Sequence, residues 1–119
     1  MSEQPENIHI IETHTTLLEL KKIAEERFGD MIKAVVDIER EIMAIGGEMH
    51  ADEERILLEA GSRQDDLWGV NLYPDASGEG FVEFDSMINI RPRQNNRSRG
   101  VEDEKTKAAI LEVIKKLVK

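Results

Sequence analysis

Two clusters of side chains in this sequence have the types and spacing for chemistry. The first is dense in arginine. Four of the chain's eight arginines, Arg91, Arg93, Arg97 and Arg99, fall within nine residues, and no lysine occurs between Lys33 and Lys105. Solubility alone would accept lysine, whereas a guanidinium offers planar, two-pronged pairing to a carboxylate or phosphate. Asn95, Asn96 and Ser98 add neutral donors, so the segment could hold a phosphate, a nucleotide or a nucleic-acid backbone. A structural reading stands beside this one. The chain has 25 acidic residues with which arginines can pair internally. Glu102, Asp103 and Glu104 also place negative charge at a helix start where an anion would otherwise bind. Aromatic residues for base stacking are few.

The second cluster is Glu48, His50, Asp52 and Glu53, where a strand gives way to a helix. A histidine with carboxylates two residues away could serve as a general base or help hold a divalent metal. The plainer reading is that His50 or Asp52 caps the helix and the acids complement its dipole. Asp85 is a further catalytic candidate, on a strand whose row of Glu83, Asp85 and Asn89 is expected to face water. Ser62 and Ser86 lack the G-x-S-x-G context of a nucleophile elbow. No glycine-rich loop matches a phosphate-binding or dinucleotide fingerprint, and no cofactor is expected.

Positioning these residues falls to one domain. The chain has 119 residues, 39% of them apolar and 34% charged, enough for a hydrophobic core without staples. It has no cysteine, which excludes disulfides and thiolate metal sites and favours the cytoplasm. The N-terminus lacks the basic and apolar regions of a signal peptide, and no stretch is long enough to span a membrane. A net charge of -9 argues against a whole-surface polyanion binder.

The periodicities predict an α+β domain over 13–119 after a polar, partly disordered extension over 1–12. Within that extension, Ile8, Ile10 and Ile11 could form an edge strand or a packing anchor. Thr16 to Glu19 reads as a capping box opening a helix whose apolar face is Leu17, Leu20, Ala24 and Phe28, stopped by Gly29. Ile32, Ala34, Val36 and Ile38 alternate with Lys33, Asp37 and Glu39, giving a strand with one wet face and Val35 as the mismatch. Ile42 to Ile45 completes a hairpin, and Gly46-Gly47 bends the chain. A short helix spans Ala51–Ala60. Leu67 to Tyr73 is a strand with Trp68, Val70 and Leu72 inward. Val82, Phe84, Ile88 and Ile90 read as one long strand, Arg91 to Gly100 as a loop, and Asp103 to Val118 as a helix buried through Ala109 or Ile110, Val113, Ile114 and Leu117. The expected architecture is four antiparallel strands from two hairpins, in the order helix-strand-strand-helix-strand-strand-helix.

The ordered blocks VDIE at 36–39, GGEMHADEE at 46–54, LLEAGS at 57–62, DLWGVNLYP at 66–74, FDSMINIRP at 84–92 and NRSRGVED at 96–103 resemble a family of short archaeal and bacterial proteins catalogued as a domain of unknown function. The resemblance implies a free-standing module and supplies no activity or catalytic residue.

Three functions are compatible with these residues. One is a binding module whose Arg91, Arg93, Asn96, Arg97, Ser98 and Arg99 engage a phosphate-containing ligand or another anionic partner. Another is a small hydrolase or metal-dependent enzyme using His50 with Glu48 or Asp52. The last is a homodimeric structural or regulatory protein, working with a protein partner.

Overall fold

A computed structural model describes residues 7–119; of the partly disordered extension expected over 1–12, residues 1–6 lie outside the described residues. The elements are β1 (His9–Ile11), α1 (Leu17–Arg27), β2 (Ile32–Asp37), β3 (Ile42–Ile45), α2 (His50–Glu59), β4 (Leu67–Leu72), β5 (Val82–Glu83) and α3 (Glu104–Leu117). The strands form one antiparallel sheet in the order β1-β3-β2-β4-β5. The sheet therefore has five strands rather than four. The additional one is the Ile10–Ile11 segment, which pairs with β3 in the register Ile11↔Met43.

The helices form where their ends are satisfied. The Thr16 hydroxyl accepts the Glu19 amide at 3.1 Å, and α1 ends before Gly29, whose φ of +96° suits a residue without Cβ. Leu20 and Ala24 are the buried face of α1, while Leu17 and Phe28 at its ends stay partly exposed. Asp103 caps α3 through the Thr106 amide, and Ile110, Val113, Ile114 and Leu117 form its buried stripe.

Both faces of the sheet are covered. On one side α1 and α3 pack on Ala34, Val36, Met43, Ile45, Trp68, Val70 and Leu72. On the other, Leu57 of α2 packs with Val35, Ile42, Ala44 and Leu67. The expected wet face of β2 is thus corrected, and the apolar Val35 is explained by α2 lying over it. Asp37 on that face is fully buried. Its carboxylate accepts the amides of Glu39 and Arg40 at 2.9 and 3.0 Å and the Ser62 hydroxyl at 2.6 Å, tying the hairpin turn to the end of α2.

The long strand expected to Ile90 is also corrected. β5 stops at Glu83, and the chain turns through a short 3-10 helix at Met87–Asn89. From β5 onward the apolar residues serve two cores: Val82 and Phe84 pack with the α1–α3 side, Ile88 with the α2 side. Asn89 does not face water as its place on a strand would require; it is fully buried. Its side-chain amide accepts the Gly69 N–H at 2.8 Å and donates to the Gly69 carbonyl at 3.0 Å. One side chain therefore supplies the hydrogen bonds that a further strand residue would have given β4.

Candidate functional site

The arginine segment is a braced loop. Arg91 is buried, its guanidinium stacks 4.2 Å over the Trp68 ring, and it donates to the carbonyls of Gln64 (2.6 Å) and Leu67. Arg93 pairs with Asp65 at 2.7 Å. Asn96 is a buried hub: its amide donates to the carbonyls of Asn89, Ser98 and Gly100 and accepts the Glu102 N–H at 2.8 Å. The backbone amides of Arg97 and Ser98 both donate to the Glu102 carboxylate. Hydrogen bonds from Ser98, side chain first, then from the Arg97 amide, hold that carboxyl below its usual range. The Arg97 guanidinium makes no hydrogen bond or ion pair among the described residues. Arg99 turns away from the loop, and its Nε donates to Asp85 at 2.5 Å.

That turn brings Arg99 to the second cluster. A cleft of about 390 Å³ on the α2 side of the sheet is lined by Lys33, His50, Asn71, Glu83, Asp85, Ser86 and Arg99, with Met31, Met49, Met87 and Ile88 as apolar wall. Strand register explains the convergence. Lys33 of β2 lies opposite Asn71 of β4, and Asn71 lies opposite Glu83 of β5. A cation, an amide and an anion thus form one row across three strands. Asn71 donates to Glu83 at 2.9 Å, as does the Tyr73 hydroxyl. That neighbouring carboxylate raises the tyrosine pKa, through the hydrogen bond first.

His50 opens α2. The helix is capped by Met49, which makes no side-chain capping bond, so neither His50 nor Asp52 plays the capping role expected of it. The imidazole is buried, with Nε2 2.8 Å from the Val70 carbonyl. A carbonyl only accepts, so Nε2 carries the hydrogen and Nδ1 the lone pair. Burial lowers the His50 pKa to about 4; Lys33 and Arg99 act in the same direction, against the Val70 bond and Asp85. The ring is neutral at pH 7.

Gly69 allows this packing. A Cβ there would stand 2.6 Å from the Ser86 Cβ and Oγ and 3.2 Å from His50 Cδ2. Ser86 is buried, and its Oγ accepts the Ile88 amide at 3.3 Å.

The structure does not bring the candidate metal ligands Glu48, His50 and Asp52 together as an ion site among the described residues. Glu48 turns to Arg27 at 3.3 Å, and among the described residues no group of three or more histidine or carboxylate side chains is placed to hold an ion. It does bring His50, Asp85 and Arg99 together, and leaves Arg93, Arg97 and Ser98 outside the cleft. Lys33 and Asn71 are the lining residues that sequence reasoning missed. The alternation of β2 did put Lys33 opposite the core-facing residues, but nothing in the sequence showed that β4 pairs with β2.

Over residues 9–117 the chain matches the family DUF5674, described as a protein of unknown function. The chain belongs to this family. No curated protein and no solved structure matches it. Among the described residues, no helix of this DUF5674 member is long and apolar enough to cross a membrane.

Proposed function

We propose that this protein binds a small molecule carrying an anionic group, and that its site is the cleft between α2, β4 and the 83–88 segment rather than the tip of the arginine loop. The observation that carries this reading is the convergence of Lys33, His50, Asp85 and Arg99 on one concave site with an apolar wall. Such a site fits the general form of small-ligand pockets, mostly apolar with a few placed polar groups. Lys33 and the terminal nitrogens of Arg99 offer positive donors to the anion. At the loop tip, the carboxylate of Glu102 already occupies the amides of Arg97 and Ser98.

His50 acts here as a hydrogen-bond acceptor. With a pKa of about 4, placing a proton on the ring at pH 7 costs about 4 kcal/mol. That suits an acceptor of fixed tautomer better than a general base poised near neutrality.

Thermal unfolding with inorganic phosphate, a nucleoside monophosphate and short-chain carboxylates tests the reading. A ligand present at a hundred times its Kd adds about 2.7 kcal/mol, a shift of several degrees for a domain of this size. The shift should vanish in Lys33→Ala and Arg99→Ala and persist in Arg97→Ala. Loss in Arg97→Ala with retention in Arg99→Ala would move the site to the loop tip and overturn the proposal.

A further inference from the structure

We infer that the occupant of this cleft is a free amino acid with an apolar side chain, its carboxylate held at Lys33 and Arg99 and its ammonium at Glu83 and Asp85. This rests on the cleft being the ligand site and adds the chemical class of the ligand.

The argument comes from the polar atoms that the fold leaves unspent. Glu83 uses Oε1 for both Asn71 and Tyr73, and Asp85 uses Oδ1 for Arg99. Glu83 Oε2 and Asp85 Oδ2 make no hydrogen bond among the described residues. Arg99 spends only Nε on Asp85. Lys33 Nζ makes no ion pair among the described residues and lies 5.5 Å over the Phe28 ring. Two carboxylate side chains and two cationic ones thus line one cleft. A simple anion would meet the donors and leave the two carboxylates unanswered. A simple cation would meet the reverse. A ligand with both charges answers both sets, and charge-assisted hydrogen bonds are the strong ones.

The row order gives the spacing a direction. Lys33 and Glu83 stand on strands either side of β4, with Asn71 between them. Neighbouring strands lie about 4.8 Å apart, so the two charged side chains arise roughly 10 Å apart at the backbone, on opposite sides of Asn71. That separation, bridged by side chains several bonds long, leaves room between them for a molecule carrying an ammonium and a carboxylate on one carbon. The third element is Met31, Met49, Met87 and Ile88. Methionine adapts to irregular apolar shapes, and Met49 and Met87 are exposed here at 55% and 64%, an apolar rim that a hydrophobic side chain would cover.

The experiment is a group-deletion series, read by calorimetry on the full chain. L-Leucine and L-methionine are compared with 4-methylpentanoate, which lacks the amine, 3-methylbutylamine, which lacks the carboxylate, and glycine, which lacks the side chain. The amino acids should bind at least about tenfold tighter than any of the three. Glu83→Gln with Asp85→Asn should remove the preference for leucine over 4-methylpentanoate, with far-UV circular dichroism confirming that the variant is folded. If 4-methylpentanoate or phosphate binds as tightly as leucine and depends on Lys33, the anion site stands and the amino-acid inference falls. If none of these probes binds at millimolar concentration while the variants remain folded, both fall.

Discussion

The carboxylate of Glu102 accepts the backbone amides of Arg97 and Ser98 at 3.0 and 2.9 Å. An oxyanion held by consecutive amides beside arginines is what a phosphate loop offers its ligand, and here the chain supplies the oxyanion itself. Glu102→Gln should therefore loosen the loop, lower the melting temperature modestly and speed amide exchange at Arg97 and Ser98. The pH dependence has a definite sign. The folded carboxyl titrates below its ordinary value, so its contribution is present above pH 4.5 and fades as pH falls through the lower folded value. Hydrogen exchange at those two amides in wild type and variant decides the matter: equal exchange would mean that Glu102 does not hold the loop.

Asn89 replaces a strand at Gly69, so truncating it strands several groups at once. Asn89→Ala removes the partners of the Gly69 N–H and carbonyl and one donor to the Arg99 carbonyl. Leaving buried backbone groups unpaired costs about 3 kcal/mol here, and denaturant unfolding should show it. A loss below about 1 kcal/mol would mean that another group or water takes up these bonds.

Local patterns made much of this fold legible. Thr16 and Asp103 signalled helix starts, and the 32–37 and 42–45 runs signalled a hairpin because alternation is a local property of a pleated strand. The sheet edge and the cleft depended on pairing between distant segments. The isoleucines Ile8, Ile10 and Ile11 fit a strand or an anchor equally well until β3 stood beside them. Val82, Phe84, Ile88 and Ile90 alternate like a strand, yet Asn89 and Ser86 fold them back, since a side chain that hydrogen-bonds backbone competes with the ladder. Of the site, His50, Asp85 and Arg99 were visible as residue types. Lys33 and Asn71 were hidden because only the β2–β4 register sets them side by side.

Gly69 is required by its neighbours rather than by its own backbone angles. An alanine there would drive Cβ against Ser86, 2.6 Å from its Cβ and Oγ, and overpacking of this kind costs about 1–3 kcal/mol. Because the nearest obstruction is the Ser86 side chain, with His50 Cδ2 next at 3.2 Å, Ser86→Gly in the same molecule should return part of the loss. A double-mutant cycle by denaturant unfolding is expected to give a coupling above about 0.5 kcal/mol. Additive losses would show that the crowding at residue 69 comes from elsewhere.

Two buried groups set opposing pH dependences. Burial lowers the His50 pKa to about 4, whereas an unfolded histidine titrates near 6.5. Between those values the unfolded chain binds the proton and the folded one does not. The stability is therefore full above pH 6.5 and falls as pH drops to about 4, by about 2 kcal/mol at pH 5. Glu53 runs the other way. Burial raises its pKa well above the ordinary value; the Gly47 amide reaches one of its oxygens at 2.8 Å, and the other has no partner. Its contribution is present below pH 4.5 and is lost as pH rises toward the folded value. Glu53→Gln keeps an acceptor for Gly47 without the charge, so relative to wild type it should gain stability as pH rises. His50→Gln should flatten the fall between pH 6.5 and 5. Urea unfolding of the three proteins across pH 5 to 8.5 separates the two effects, and a His50→Gln curve parallel to wild type below pH 6.5 would show that the imidazole is not what the acid side reports.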